Sequence, residues 1–186
     1  MIVEGLLTTT NPDGSPHVAP MGPVVDPTLT HWQLRPFQTS STFANLRRDG
    51  TCVFHVIDDV VPLVQSALSL PTELTYLAVS EGVWRIESAC HWYCLEAITW
   101  DLRQERAEVS MQINSHGVHR PFWGWNRAKH AILEATILAT RLHLTGAEKV
   151  RDELERFEEI VNKTAGPREL HAWAILRDYV DSCNFQ

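Results

Sequence analysis

Residues 34–45 read Leu-Arg-Pro-Phe-Gln-Thr-Ser-Ser-Thr-Phe-Ala-Asn and concentrate the chemistry of this chain. One guanidinium, Arg35, is followed by four consecutive hydroxyls, Thr39, Ser40, Ser41 and Thr42. The run lies between a strand-like apolar stretch and a short helical pattern. Free backbone N–H groups at a helix start, alcohols and a nearby arginine together make a cradle for phosphate. The plain alternative is a Ser/Thr-rich loop that does no more than cap a helix.

A second stretch, Pro16-His17-Val18-Ala19-Pro20-Met21-Gly22, carries small side chains that would let a flat ring approach the backbone. Its alternative is an edge strand, because the three prolines at 16, 20 and 23 cannot donate to a ladder, with His17 a solvated surface histidine. No Ser/His/Asp or Cys/His signature of nucleophilic catalysis is visible. The four cysteines, Cys52, Cys90, Cys94 and Cys183, form neither a CxxC pair nor a disulfide framework. On a strand Cys90 and Cys94 would stand roughly 13 Å apart with His91 on the opposite face, so no metal site is expected. Reduced thiols and the lack of a leader-like N-terminus point to a cytoplasmic protein.

With 186 residues, 44% of them hydrophobic, the chain can build one sizeable core, or one core with a helical appendage. The formal net charge of -7 and the absence of any basic run argue against nucleic acid as a partner. No run of about 18 apolar residues exists to span a membrane.

The elements that must position these residues follow from periodicity and turn chemistry. Residues 2–9 and 16–24 read as a hairpin across Asn11-Pro12-Asp13-Gly14. A third strand is expected over 28–34, a short helix over 42–48 closed by Asp49-Gly50, and a fully buried strand over 51–57. Pro62 is tolerated in the first turn of a helix over 60–70. Residues 75–79 are a weak strand candidate and 82–87 are ambiguous. Residues 89–100 should pair with 106–113. The character changes near Asn114, and His116-Gly117 and His119-Arg120-Pro121 are expected to form a loop. Helical spacing then places Ala128, Ala131, Ile132, Ala135, Leu138, Ala139 and Leu142 on one face. Thr145 is the expected N-cap of a second helix that buries Val150, Leu154, Phe157 and Val161, and a third helix over 168–180 turns Trp173, Leu176 and Val180 inward. The expectation is a mainly β chain with α elements: a small barrel over 1–113, then a three-helix unit over 114–186.

In order and spacing, Asp13-Gly14-x-Pro16-His17-Val18-Ala19-Pro20-Met21-Gly22, Arg35-Pro36-Phe37 and Ser41-Thr42-x-x-Asn45-Leu46 resemble the FMN-binding split barrels, relatives of pyridoxamine phosphate oxidase. Val56-Ile57-Asp58-Asp59, Gly124-x-Asn126-Arg127-Ala128 and Thr140-Arg141 extend the resemblance to the DUF447 branch of that superfamily, over nearly the whole chain. The resemblance implies a six-stranded Greek-key split barrel that forms a homodimer and holds FMN near the interface. Its phosphate would lie on the loop after the third strand, against Arg35, Thr39, Ser41, Thr42 and Asn45. His17, Val18, Ala19, Pro20 and Met21 would run along the flavin ring. Many split barrels place a basic residue where Thr42 stands, which shifts the charge balance onto Arg35 and Arg127, with Asn126 beside it at a helix start. The implied activity is that of an FMN-dependent oxidoreductase or flavin reductase working by hydride transfer, with NAD(P)H or an unidentified small molecule as partner. Two other readings stay open: an FMN carrier or storage protein without its own substrate, and a protein-interaction module on an inert barrel.

Overall fold

The computed structural model describes residues 1–183, which divide into two units. The first comprises Met1–Ile57 and Leu74–Phe122. Its elements are β1 (Gly5–Thr10), β2 (Pro16–Met21), β3 (Val24–Val25), β4 (Trp32–Leu34), α1 (Ser41–Asp49), β5 (Thr51–Val56), β6 (Tyr76–Ser80), β7 (Val83–Ile86), β8 (His91–Asp101) and β9 (Glu108–Val118). Seven strands form one antiparallel sheet in the order β2-β1-β5-β8-β9-β4-β3, and β6 and β7 pair separately. The sheet curls back on itself: Ile2 bridges Val24, and the Val25 N–H donates to the Met1 carbonyl at 2.8 Å.

The β1–β2 hairpin forms where turn chemistry places it. The Gly14 N–H donates to the Asn11 carbonyl at 2.9 Å, and Gly14 has φ +83°, a conformation that favours glycine. The strand with three prolines in and beside it, β2, is an edge of the sheet, as the missing donors require. The expected buried strand is β5, whose central residues Cys52, Val53, Phe54 and His55 are all buried. Leu7, Leu34, Leu46, Phe54, Leu95 and Val109, all 0% exposed, make the barrel core with Trp32 and Met111.

Three expectations for this unit are corrected. The strand expected over 28–34 is only Trp32–Leu34, because Asp26 folds residues 26–31 into a loop by accepting the Thr30 and His31 N–H groups at 2.8 and 2.9 Å. The ambiguous stretch after Gly82 is a true strand, β7. The loop expected at His116-Gly117 is instead part of β9, which pairs with β8 out to Val118, and only His119-Arg120-Pro121 lies outside the strands. Its alternating polar residues hid that pairing.

The second unit comprises Asp58–Glu73 and the chain from Trp123 onward. It contains α2 (Val61–Ala67), α3 (Arg127–Ala139), the single turn α4 (Leu142–Thr145), α5 (Ala147–Thr164) and α6 (Pro167–Ser182). The expected apolar face of α3 is buried at Ala128, Ala131, Ile132, Ala135 and Ala139, while Leu138 is only partly covered. Val150, Leu154 and Val161 of α5 and Trp173, Leu176 and Val180 of α6 complete the core. The expected cap at Thr145 is corrected. Thr145 ends α4 by donating from its N–H to the Arg141 carbonyl, and Gly146 opens α5. Among the described residues no helix is long and apolar enough to cross a membrane.

His55 joins three strands at the barrel's centre. It is 0% exposed, its Nδ1 donates to the Leu6 carbonyl at 3.1 Å, and its Nε2 accepts from the Ile86 N–H at 3.0 Å. Both nitrogens are used only by a neutral ring, and burial pushes its pKa from the usual 6.5 down to about 3. The unfolded chain therefore binds the extra proton more readily between those values, so stability present above pH 6.5 is lost as pH falls towards 3. Replacing His55 by Leu leaves a carbonyl and an N–H without partners and should cost about 2–5 kcal/mol. Urea melts at pH 7 and pH 4.5 should show that cost together with a shallower acid dependence in the variant; an unchanged acid slope would place the titrating group elsewhere.

Candidate functional site

Arg35 follows directly on β4, whose Leu34 is 0% exposed and anchors the strand end in the core. From there the backbone is tied to the turn before β9. The Ala107 N–H donates to the Pro36 carbonyl at 2.9 Å, the Gln38 N–H donates to the Glu105 carbonyl at 3.2 Å, and Phe37 bridges Arg106. Arg106 Nη1 donates to the Arg35 carbonyl at 3.0 Å, and its guanidinium lies 3.7 Å over the centre of the Phe37 ring. Among the described residues the Arg35 guanidinium has no hydrogen bond and no carboxylate partner, although the residue is half-buried. A cation left partly dry and unpaired favours an anion brought from outside.

The chain then turns into α1. Ser40 is its N-cap: its Oγ donates to the Phe37 carbonyl at 2.7 Å and accepts from the Phe43 N–H at 3.1 Å. The Ser41 and Thr42 N–H groups have no acceptor inside the helix, so they carry the positive end of its dipole. Gly50, with φ 70°, ends the helix, and Arg47 and Arg48 in the last turn complement the dipole. Leu46 at 0% exposure and a Phe43–Trp100 ring contact at 6.0 Å hold α1 on the sheet.

These pieces meet around a cavity of about 270 Å³ lined by Arg35, Pro36, Phe37, Ser40, Thr42 and Arg106 on one side and by Ala19, Pro20, Met21 and Gly22 on the other. The structure thus brings the two stretches singled out from the sequence together. The remaining candidates sit as follows. Thr39 and Ser41 are exposed beside the helix start. Val18 and His17 are half-buried on β2 and do not line the cavity, but His17 Nε2 lies 3.2 Å from Thr42 Oγ1. Burial holds the His17 ring below the ordinary imidazole range, so it is neutral at pH 7. Asn45 is 3% exposed, and its amide works inside the protein: Nδ2 donates to Thr9 Oγ1 and Asn11 Oδ1, both at 3.2 Å, and Oδ1 accepts from Arg48 at 3.4 Å. Asn126 and Arg127 belong to the second unit. Asn126 caps α3, accepting from the Lys129 N–H at 3.0 Å and donating from Nδ2 to the Thr164 carbonyl at 3.0 Å, while Arg127 is exposed.

Sequence reasoning missed Arg106. It stands 71 positions from Arg35 and in no motif with it, and only the pairing of the two backbone segments makes them neighbours. Ser40, Gly22 and Phe37, which lie within the stretches singled out from the sequence, also line the cavity.

An antiparallel split barrel with a cationic corner at a helix start is the class of protein that this fold and site define. Solved structures show the same fold. The barrel resembles the styrene monooxygenase flavin reductase from Pseudomonas putida S12 (TM-score 0.54, 11% identity, 63% of this chain and 80% of the other). It also resembles the flavin reductase PheA2 (TM-score 0.53, 11% identity, 62% and 79%). Sequence models of the protein of unknown function DUF447 match at residues 3–120 for its N-terminal domain and 126–178 for its C-terminal part, and the chain belongs to that family. A crystal structure of an FMN-bound DUF447 protein from Methanosarcina mazei is similar over 96% of this chain and 94% of the other, with TM-score 0.82 and 25% identity. No curated protein matches the sequence.

Inorganic phosphate should raise the thermal midpoint of the protein through mass action on the folded state. Arg35→Ala and Arg106→Ala should each remove most of that shift. A shift that survives both changes would place the anion away from this corner.

Proposed function

We propose that the chain binds FMN, with the phosphate between Arg35, Arg106, Ser40, Thr42 and the first N–H groups of α1, and the ring system along Ala19, Pro20, Met21 and Gly22. The observation that carries this is the half-buried, unpaired Arg35 beside Arg106 at the mouth of a helix. Two guanidinium groups match the two negative charges of a phosphomonoester, and their forks match its oxygens. Arg106 supplies the second cation that a basic residue at position 42 would bring. Thr39 and Ser41 add exposed hydroxyls at the rim, and Asn45 holds α1 in register behind it. The FMN-bound relative supports the choice of ligand.

The reading extends to an oxidoreductase of the flavin reductase kind, a cytoplasmic homodimer that takes electrons from NADH or NADPH. Its support is the analogy of fold with the flavin reductases and the free state of Cys52, Cys90, Cys94 and Cys183. When bound, FMN would supply the two-electron chemistry, which needs no nucleophile from the protein. The chain's own residues bind and orient. Arg35 and Arg106 neutralise the phosphate, and β2, an edge strand with no strand on its outer side among the described residues, offers small side chains against which a ring can lie.

Purified protein should be yellow or become so with FMN. The double variant Arg35→Ala/Arg106→Ala should lose about 3 kcal/mol of FMN binding, roughly a hundredfold in Kd, read by flavin fluorescence. Under anaerobic conditions, bleaching of the visible flavin band by NADH or NADPH supports the reductase reading. No response to either donor, with FMN bound, favours a carrier. Colourless protein that takes up no FMN removes the flavin altogether.

A further inference from the structure

Thr42 is 4% exposed, yet it lines the cavity, and among the described residues its one polar side-chain contact is with His17 Nε2 at 3.2 Å. A threonine hydroxyl has a single proton, so this contact has two directions with opposite consequences for an anion. With Nε2 bare, Thr42 donates to the ring and turns only lone pairs towards the cavity. With a hydrogen on Nε2, the ring donates to Thr42 Oγ1, and the threonine proton is free to point at a ligand oxygen. His17 Nδ1 has no hydrogen-bond partner among the described residues, so nothing on that side of the ring imposes a tautomer. A phosphate oxygen facing Oγ1 is satisfied only by the second arrangement.

We propose that His17 is a positioning residue: from Nε2 it donates to Thr42 Oγ1 and so holds the Thr42 hydroxyl as a donor to the phosphate of a phosphomonoester. This rests on the phosphate reading of the cavity and deepens it. The pair His17–Thr42 does by relay what a basic side chain at position 42 would do directly. It adds a donor without adding a third positive charge beside Arg35 and Arg106. His17 and Ala19 to Met21 are parts of one six-residue strand.

The direct test is 15N NMR of the His17 ring in the wild-type protein, with inorganic phosphate and then FMN as the probes. Saturation with either should bring Nε2 to the shift of a protonated nitrogen. Calorimetric titration of both ligands provides the second measurement. T42V should weaken binding about tenfold, the size of one charge-assisted hydrogen bond, and H17L, which frees the Thr42 proton but leaves its oxygen without a donor, by a smaller factor. The double variant should be no weaker than T42V, because the histidine acts only through the hydroxyl. H17Q, whose amide can donate from a similar place, should stay within about threefold of wild type. Nε2 that stays bare in the saturated protein overturns the relay, as do losses that multiply in the double variant. In those cases FMN still binds and the functional reading stands. If neither phosphate nor FMN binds, that reading and the relay both fall.

Discussion

Two like charges stand at one end of the barrel because the backbone gives them no other place. The bonds from Ala107 to Pro36 and from Gln38 to Glu105 fasten the segment after β4 to the turn before β9. Arg35 and Arg106 ride on those segments. Arg106 is steadied by the Arg35 carbonyl and by the face of Phe37. Neither contact neutralises its charge. With no carboxylate supplied to Arg35 among the described residues, the corner is electrostatically incomplete by itself. That incompleteness suits it to an anion brought from outside rather than to a structural ion pair.

The remaining features of the first unit make sense as supports for that corner. α1 must start at Ser40 and nowhere else for its free N–H groups to face the cavity, and three contacts hold it there. Ser40 closes the cap, Leu46 is driven into the core, and Asn45 ties the helix to Thr9 and Asn11 at the β1 end. β2 completes the other wall. Its prolines remove donors from its outer side, which disfavours pairing with a further strand. At the centre, neutral His55 uses both nitrogens to hold β1 and β7 to β5, a use of histidine in which titration is a liability rather than a function.

The second unit has a simpler logic. Alanine-rich α3 lets its neighbours approach closely, and α2, α5 and α6 cover it with Val64, Leu154, Leu176 and Val180. Polar ties fix the ends: Asn126 links the start of α3 to the end of α5, Glu169 accepts from the Gly166 N–H at 2.8 Å, and Arg168 pairs with Asp59. The exposed pairs along α5 add solubility more than stability.

What could be read from the sequence alone was whatever is decided within a few residues. The Asn11–Gly14 turn, the Gly50 stop, the edge character of β2, the buried run of β5 and the apolar faces of α3, α5 and α6 all follow from local sterics and short periods. So did the hydroxyl-rich helix start, since capping is local chemistry. The tertiary structure decided the rest. It extended β9 through polar residues, because β8 supplies the ladder that their pattern does not advertise. It made Gly146 rather than Thr145 the start of α5. It gave Asn45 a task behind the cavity, put Thr42 against His17, and set Arg106 beside Arg35 across 71 positions. Contacts of that kind depend on which strands pair, and strand pairing is a property of the whole sheet that no short stretch of the chain contains.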